Sequence, residues 1–194
     1  MHDIEPHFQW RDLYTAEADV HAPFYGRTYS EFEFTNMLYN FYLHPQWDEF
    51  GSTTLYAKIL YADYEDGFAC IELIGEWNDA LYNDIKFLKR EIVDVLIAEG
   101  IYRFVLMCDN VLNFHASDDD YYAEWYEEVS ENGGWIVLLN TREHVEDELE
   151  SARLQRYMQF GEPFNETNWR PHKPQVVLHM VDLMRSGVTP QLEW

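Results

Sequence analysis

Carboxylates dominate the chemistry this chain could perform. Asp109 follows the apolar run IYRFVLMC (101–108), a place where α/β sheets set ligand-binding side chains, and His115, Asp118, Asp119 and Asp120 come soon after it. Hard cations take carboxylate oxygens, so this set supports an alternative reading as a metal-assisted phosphate centre around Asp109. The simpler explanation is a solvated helix start, because carboxylates there complement the partial positive charge of the helix N-terminus. On that explanation neither a metal nor a cofactor is expected. The eight histidines show no His-Glu-x-x-His spacing, and neither a Gly-x-Ser-x-Gly elbow nor a glycine-rich phosphate loop is present. Cys70 and Cys108 each sit inside an apolar run without a Cys-x-x-Cys partner, as small hydrophobes in a reducing cytoplasm do. Ser117, directly before the acidic run, has the chemistry of a helix N-cap. Trp47 in HPQWDEFGS and Trp169 in NWRPHKP are aromatic anchors, either of an exposed recognition surface or, as preferred here, of loops clamped onto the domain.

These side chains need elements to position them. LYAKILYADY and FACIELIG are β-type runs joined through Glu65-Asp66-Gly67, where Gly67 can supply the positive φ of a hairpin loop. Asn78 or Asp79 caps a helix over 79–99, with Leu81, Ile85, Leu88, Ile92, Val95 and Leu96 at helical spacing and Gly100 as its left-handed stop. The runs at 102–107 and 135–139 are nearly continuous in apolar residues and predict interior parallel strands. Tyr122, Trp125, Tyr126 and Val129 mark a helix ending at Asn132-Gly133-Gly134, and Asn140 with Glu143 resembles a capping box opening a helix over 143–157. The order is β-β-α-β-α-β-α, a mixed sheet with right-handed crossovers. YSEFEF and MLYNFYLH are read as further strands, and QVVLHMVDLMRSG as a terminal helix. One domain is expected over 1–194: an aromatic-rich extension (1–54), an α/β core (55–158), and a strap with a helix (159–194).

The run FVLMCDNVLNFHASDDDYYAEWYEEVSENGGWIVLLNTREHVEDEL resembles the STAS domain, the fold of the sporulation anti-sigma-factor antagonists (SpoIIAA-like), over roughly residues 68–150. In that family a buried strand leads through a "V-x-F-x-D-S" loop into a helix, a Gly-Gly turn, an "I-V-L-x-N" strand and a further helix. Leu112 to Ser117 fall on the loop, and the resemblance implies that Ser117 occupies the position of the family's phosphorylated serine. Ala116 stands where the family has Asp, and Asp118-Asp119-Asp120 where it has a small glycine.

Charge narrows the partners. The 194 residues hold 36 acids against 13 bases, a net −23, which opposes approach to nucleic acid phosphates or anionic lipid. Residues 151–194 hold 4 acids and 5 bases, so the acidity belongs to the body of the chain. Residues 104–141 contain no Lys or Arg. The N-terminus MHDIEPHFQW lacks a basic n-region, and charges interrupt every hydrophobic stretch, so neither a signal peptide nor a membrane span is expected. The function expected is regulatory protein–protein interaction without catalysis, the contact surface formed by Asp109, His115, Asp118, Asp119, Asp120, Glu124 and Glu127. An acidic decoy for a nucleic-acid-binding protein is a further alternative. The sequence leaves the oligomeric state open.

Overall fold

The computed structural model describes residues 4–188; residues 1–3 and the last part of the expected C-terminal segment, 189–194, lie outside the described residues. Four strands form the main sheet, in the order β3 (Leu55–Asp63), β4 (Phe68–Asn78), β5 (Arg103–His115) and β6 (Trp135–Leu139). β3 is antiparallel to β4, while β4, β5 and β6 run parallel. A small hairpin, β1 (Met37–Leu38) with β2 (Phe41–Tyr42), precedes them. The helical elements are α1 (Asp79–Tyr82), α2 (Asp84–Phe87), a π-helical stretch (Leu88–Val93), α3 (Asp94–Ala98), α4 (Asp120–Ser130), α5 (Glu143–Ser151), a 3-10 turn (Leu154–Arg156) and α6 (Pro174–Arg185). The mixed α/β class and the β-β-α-β-α-β-α order expected from the sequence are those of the molecule.

Both faces of the sheet are covered, which is why its strands read as continuous apolar runs. On one face Ile71, Phe104, Leu106 and Leu138 pack with Leu88, Ile92, Trp125 and Leu149 from the helices. On the other, Cys70, Val105, Met107 and Val137 meet Trp10, Phe164, Trp169, Val177 and Val181. The aromatic extension therefore belongs partly to the core, through Trp10, Phe24, Leu43, Trp47 and Phe50. Gly67 turns the hairpin with φ of 65°, and a Cβ there would lie 2.1 Å from the Tyr102 ring.

Several expectations need correction. The helix expected over 79–99 breaks at Asn83, whose φ of 54° is left-handed, so Leu81 points outward and is 75% exposed. β5 does not stop at Cys108: β4 is long enough to pair with it through Asn78↔His115, so 109–115 is strand rather than loop. β6 is the last strand of the sheet, not an interior one; its outer edge is met by the backbone of Gln159, which donates to the Ile136 carbonyl at 2.9 Å and accepts from Leu138 at 2.8 Å. The capping box at Asn140 does not form, because Arg142 is the N-cap of α5 and Asn140 is used elsewhere. Helix α5 ends at Ser151 instead of reaching 157, and Arg153 with φ of 59° turns the chain into the 3-10 segment. YSEFEF (29–34) forms no strand, and MLYNFYLH contributes only the short β1–β2 pair.

Candidate functional site

Asp109 lies where β6 has ended, two residues beyond the final β5–β6 pair, Met107↔Leu139. Its carboxylate is enclosed by donors. Oδ1 accepts from Asn140 Nδ2 at 3.1 Å and from the Arg170 guanidinium at 2.8 Å, and Oδ2 accepts from Trp169 Nε1 at 3.1 Å. Asn140 adopts a left-handed conformation and also exchanges hydrogen bonds with Thr167 in the strap. The second arm of Arg170 reaches Glu72 on β4 at 3.1 Å, and the other Glu72 oxygen accepts the His7 amide at 2.8 Å. Arg170 thus bridges two carboxylates on neighbouring strands while its guanidinium lies 4.4 Å over the Trp169 ring. Glu72 is 1% exposed, and burial pushes its carboxyl up to about 7 despite the His7 amide and Arg170. Burial, then Arg170, holds the His7 imidazole down at about 4.

This cluster is a clamp. Trp10, His7 and Trp169 pack edge to face, and Trp10 Nε1 donates to the His172 carbonyl at 2.8 Å, so N-terminal segment and strap are tied together over the sheet. A metal at Asp109 does not fit it, because both oxygens already receive N–H donors that a cation would displace. Trp169 is fully buried, and Trp47 is also buried, donating through Nε1 to the Ile4 carbonyl at 2.7 Å. Both tryptophans therefore clamp segments internally and are not surface anchors. Glu72 was missed by sequence reasoning; a lone Glu inside the apolar run FACIELIG is the signal that could have found it.

The other site residues gather at the ends of β4 and β5. The Asn78↔His115 pair sets the two chain exits side by side: one continues into α1, the other through 116–119 into α4. Ser117 is not the N-cap expected of it. Asp119 holds that position, and its carboxylate accepts from Arg156 and from the Tyr157 hydroxyl, both at 2.8 Å, rather than from the helix amides. His115, Ser117, Asp118 and Asp120 are exposed, and their side chains make no hydrogen bond or ion pair with other described residues.

α1 is held rigidly beside them. Asn78 Oδ1 accepts the Leu81 amide at 2.9 Å. Asp79, buried beneath, accepts from the Tyr122 hydroxyl at 2.5 Å, Trp77 Nε1 at 3.1 Å and the Ile85 amide at 2.8 Å. Asp84 accepts the Asn78 amide at 2.8 Å. Burial pushes Asp79 up to about 6 and raises Asp84 as well. With its base stapled, this turn presents Leu81, and Tyr82 at 44% exposure, outward.

Helix α4 is less negative than its sequence. Arg90 grips both Glu124 oxygens at 2.6 and 2.9 Å, and the fully buried Lys89 ammonium reaches Glu128 at 2.9 Å, Glu124 at 3.4 Å and Asp94. Asp94, Glu124 and Glu128 lie close enough to hold a cation, but Lys89 and Arg90 already supply it. Glu127 stays exposed.

No family model matches the chain, and no curated protein matches it in sequence. Several solved structures are similar to it in fold. The anti-sigma factor antagonist SpoIIAA in its unphosphorylated form shares 12% identity at a TM-score of 0.47, over 69% of this chain and 99% of that one. The Bacillus cell fate determinant SpoIIAA in its phosphorylated form shares 11% at a TM-score of 0.42, over 64% and 98%. TM1081 of Thermotoga maritima shares 16% at a TM-score of 0.40, over 66% and 92%.

Proposed function

We propose that this chain is a regulatory protein-interaction domain that docks a partner protein on the exits of β4 and β5. The observation that carries this reading is the pairing of Leu81 and Tyr82, held outward by a buried staple, with the neighbouring unpaired polar groups His115, Ser117, Asp118 and Asp120. Exposed apolar side chains on a rigid base lose little entropy on binding, and a polar rim confers orientation. The partner surface that fits is an apolar spot ringed by basic side chains, given the −23 charge of the chain. In its specific form the reading is an anti-sigma-factor antagonist acting in the cytoplasm, with Ser117 as the place where a phosphate would enter. The expectation of a cytoplasmic setting is supported by two buried free cysteines whose thiols burial keeps protonated, and no described helix is long and apolar enough to cross a membrane. The phosphate-enzyme alternative has lost its metal ligand, since Asp109 serves the strap. The decoy alternative is weakened by Lys89 and Arg90, which neutralise part of α4.

Photo-crosslinking residues placed at 81 and 117, with a third at 150 on α5, test this in native lysate. The expected result is one crosslinked protein shared by 81 and 117 and absent at 150, with the product at 117 lost when Leu81→Glu is added. The same products at all three positions, or none at 81 and 117, would remove the docking surface.

A further inference from the structure

A cavity of about 530 Å³ opens between residues 23–29, residues 45–51 and the helical segment that carries Phe87 and Glu91. It shares no residue with the strand-exit surface. Its volume lies in the range of small-molecule sites. Asp48, fully buried, is part of its lining; one oxygen accepts from Arg27 at 2.9 Å and from the Tyr29 hydroxyl at 2.5 Å. The other Asp48 oxygen, 3.7 Å from the Lys58 ammonium, has no hydrogen-bond partner among the described residues. Glu49 and Glu91 are exposed at the cavity, and one Glu49 oxygen accepts from the Asn36 amide, also in the lining, at 2.5 Å. Phe87 rests on the bare backbone of Gly51, where a Cβ would come within 2.6 Å of the ring and φ is 109°, so this wall depends on glycine.

Arg27 shows which chemistry the cavity accepts. Its guanidinium lies 4.1 Å from the Phe24 ring centroid while it binds Asp48, so a planar cation already sits between an aromatic face and a carboxylate. Phe87 and Glu91, four residues apart along the helical segment, contribute a ring and a carboxylate to the same cavity lining. Asp48 is matched by Arg27 and by the Lys58 ammonium behind it, which leaves Glu49 and Glu91 as the carboxylates of the lining with no cation among the described residues; this disfavours an anion and favours positive charge. We propose that this cavity binds a small diffusible organic cation, an alkylammonium or alkylguanidinium, with its charge at Glu49 and Glu91 and its methylene body against Phe87.

The test is an NMR titration of the full chain with 1,4-diaminobutane and with 4-aminobutylguanidine at fixed ionic strength, using 1,4-butanediol as the uncharged probe. The amines are expected to give saturable shifts confined to 24–29, 48–51 and 87–91, and the diol none. Glu49→Gln with Glu91→Gln should weaken binding at least tenfold. Glu148→Gln with Glu150→Gln, the same charge change on α5, should leave it within twofold. Arg27→Ala should tighten it. Non-saturating shifts spread over all acidic surfaces, equal losses in the two double variants, or a response to the diol would overturn the proposal. Weaker binding in Arg27→Ala would overturn it in favour of an anionic or zwitterionic ligand.

Discussion

Glu72 and Asp109 on the strap side of the sheet, and Asp118 and Asp120 beyond its end, are the same chemical group in opposite circumstances. In the first pair Glu72 is buried and Asp109 half-buried; the two share one arginine and fix the N-terminal segment and the strap to β4 and β5. The second pair is exposed and engages no other described residue. A buried carboxylate must be matched by donors or it costs several kcal/mol, so each internal acid is committed to holding the fold. An exposed one costs the fold little and remains free for a partner. A sequence rich in acids therefore hides two populations, and burial sorts them.

The largest expected effect follows from breaking the committed pair. Arg170→Ala leaves Glu72 buried and Asp109 short of its cation, and should lower stability by about 2–3 kcal/mol in urea unfolding, less than a fully enclosed pair because Arg170 is partly exposed. A loss below about 0.5 kcal/mol would show that the clamp is ornamental. The pH dependence sharpens the same point. Burial holds Glu72 at about 7, above its ordinary 4.5, so the folded chain binds that proton more tightly than the unfolded chain does. Its contribution is fully present below about 4.5 and is lost as pH rises through about 7. Asp79, raised to about 6, acts in the same sense, and His7, lowered to about 4, acts in the opposite sense. Comparing wild type with Glu72→Gln isolates the first: the difference in stability should move in favour of the variant by about 3 kcal/mol between pH 4.5 and 8. A difference independent of pH would place the Glu72 proton in the ordinary carboxylate range.

The α4 acids lie between the two populations. Lys89→Met should cost about 1–2 kcal/mol and leave Asp94, Glu124 and Glu128 with Arg90 alone. Millimolar Ca²⁺ should then raise the melting temperature of the variant more than an equal ionic strength of NaCl does, while the two salts act alike on wild type. The smallest effects belong at the exits. Asp119→Ala should cost about 0.5–1 kcal/mol through the lost contacts to Arg156 and Tyr157, whereas Ser117→Ala should stay within about 0.5 kcal/mol, because no cap is removed. A larger loss at Ser117 than at Asp119 would restore Ser117 as the cap.

The core was legible because its physics is local. The runs at 102–107 and 135–139, the spacing of Ile85, Leu88 and Ile92, and the turn at Gly67 each follow from burial or backbone geometry within a few residues. What escaped reading depends on distant partners. Asn140 looks like a cap until Asp109 and Thr167 compete for its amide. Leu81 fits the helical stripe until Asn83 turns left-handed, and Ser117 fits an N-cap until β5 runs on to His115. The strap residue Arg170 finds its carboxylates on two strands far away in sequence, which no spacing rule encodes.

Carboxylate footprinting tests the division of acids most directly. Carbodiimide coupling of glycine ethyl ester to the folded chain, read by mass spectrometry, is expected to modify Asp118, Asp120 and Glu127 quickly, Asp109 more slowly because it is half-buried and held by Asn140, Trp169 and Arg170, and to leave Glu72 and Asp79 unlabelled until the chain unfolds. In the presence of the partner crosslinked through position 117, labelling of Asp118 and Asp120 should fall while that of Glu148 and Glu150 on α5 is unchanged. Rapid labelling of Glu72 or Asp79 in the folded chain, or partner binding that leaves Asp118 and Asp120 as reactive as before, would contradict the account.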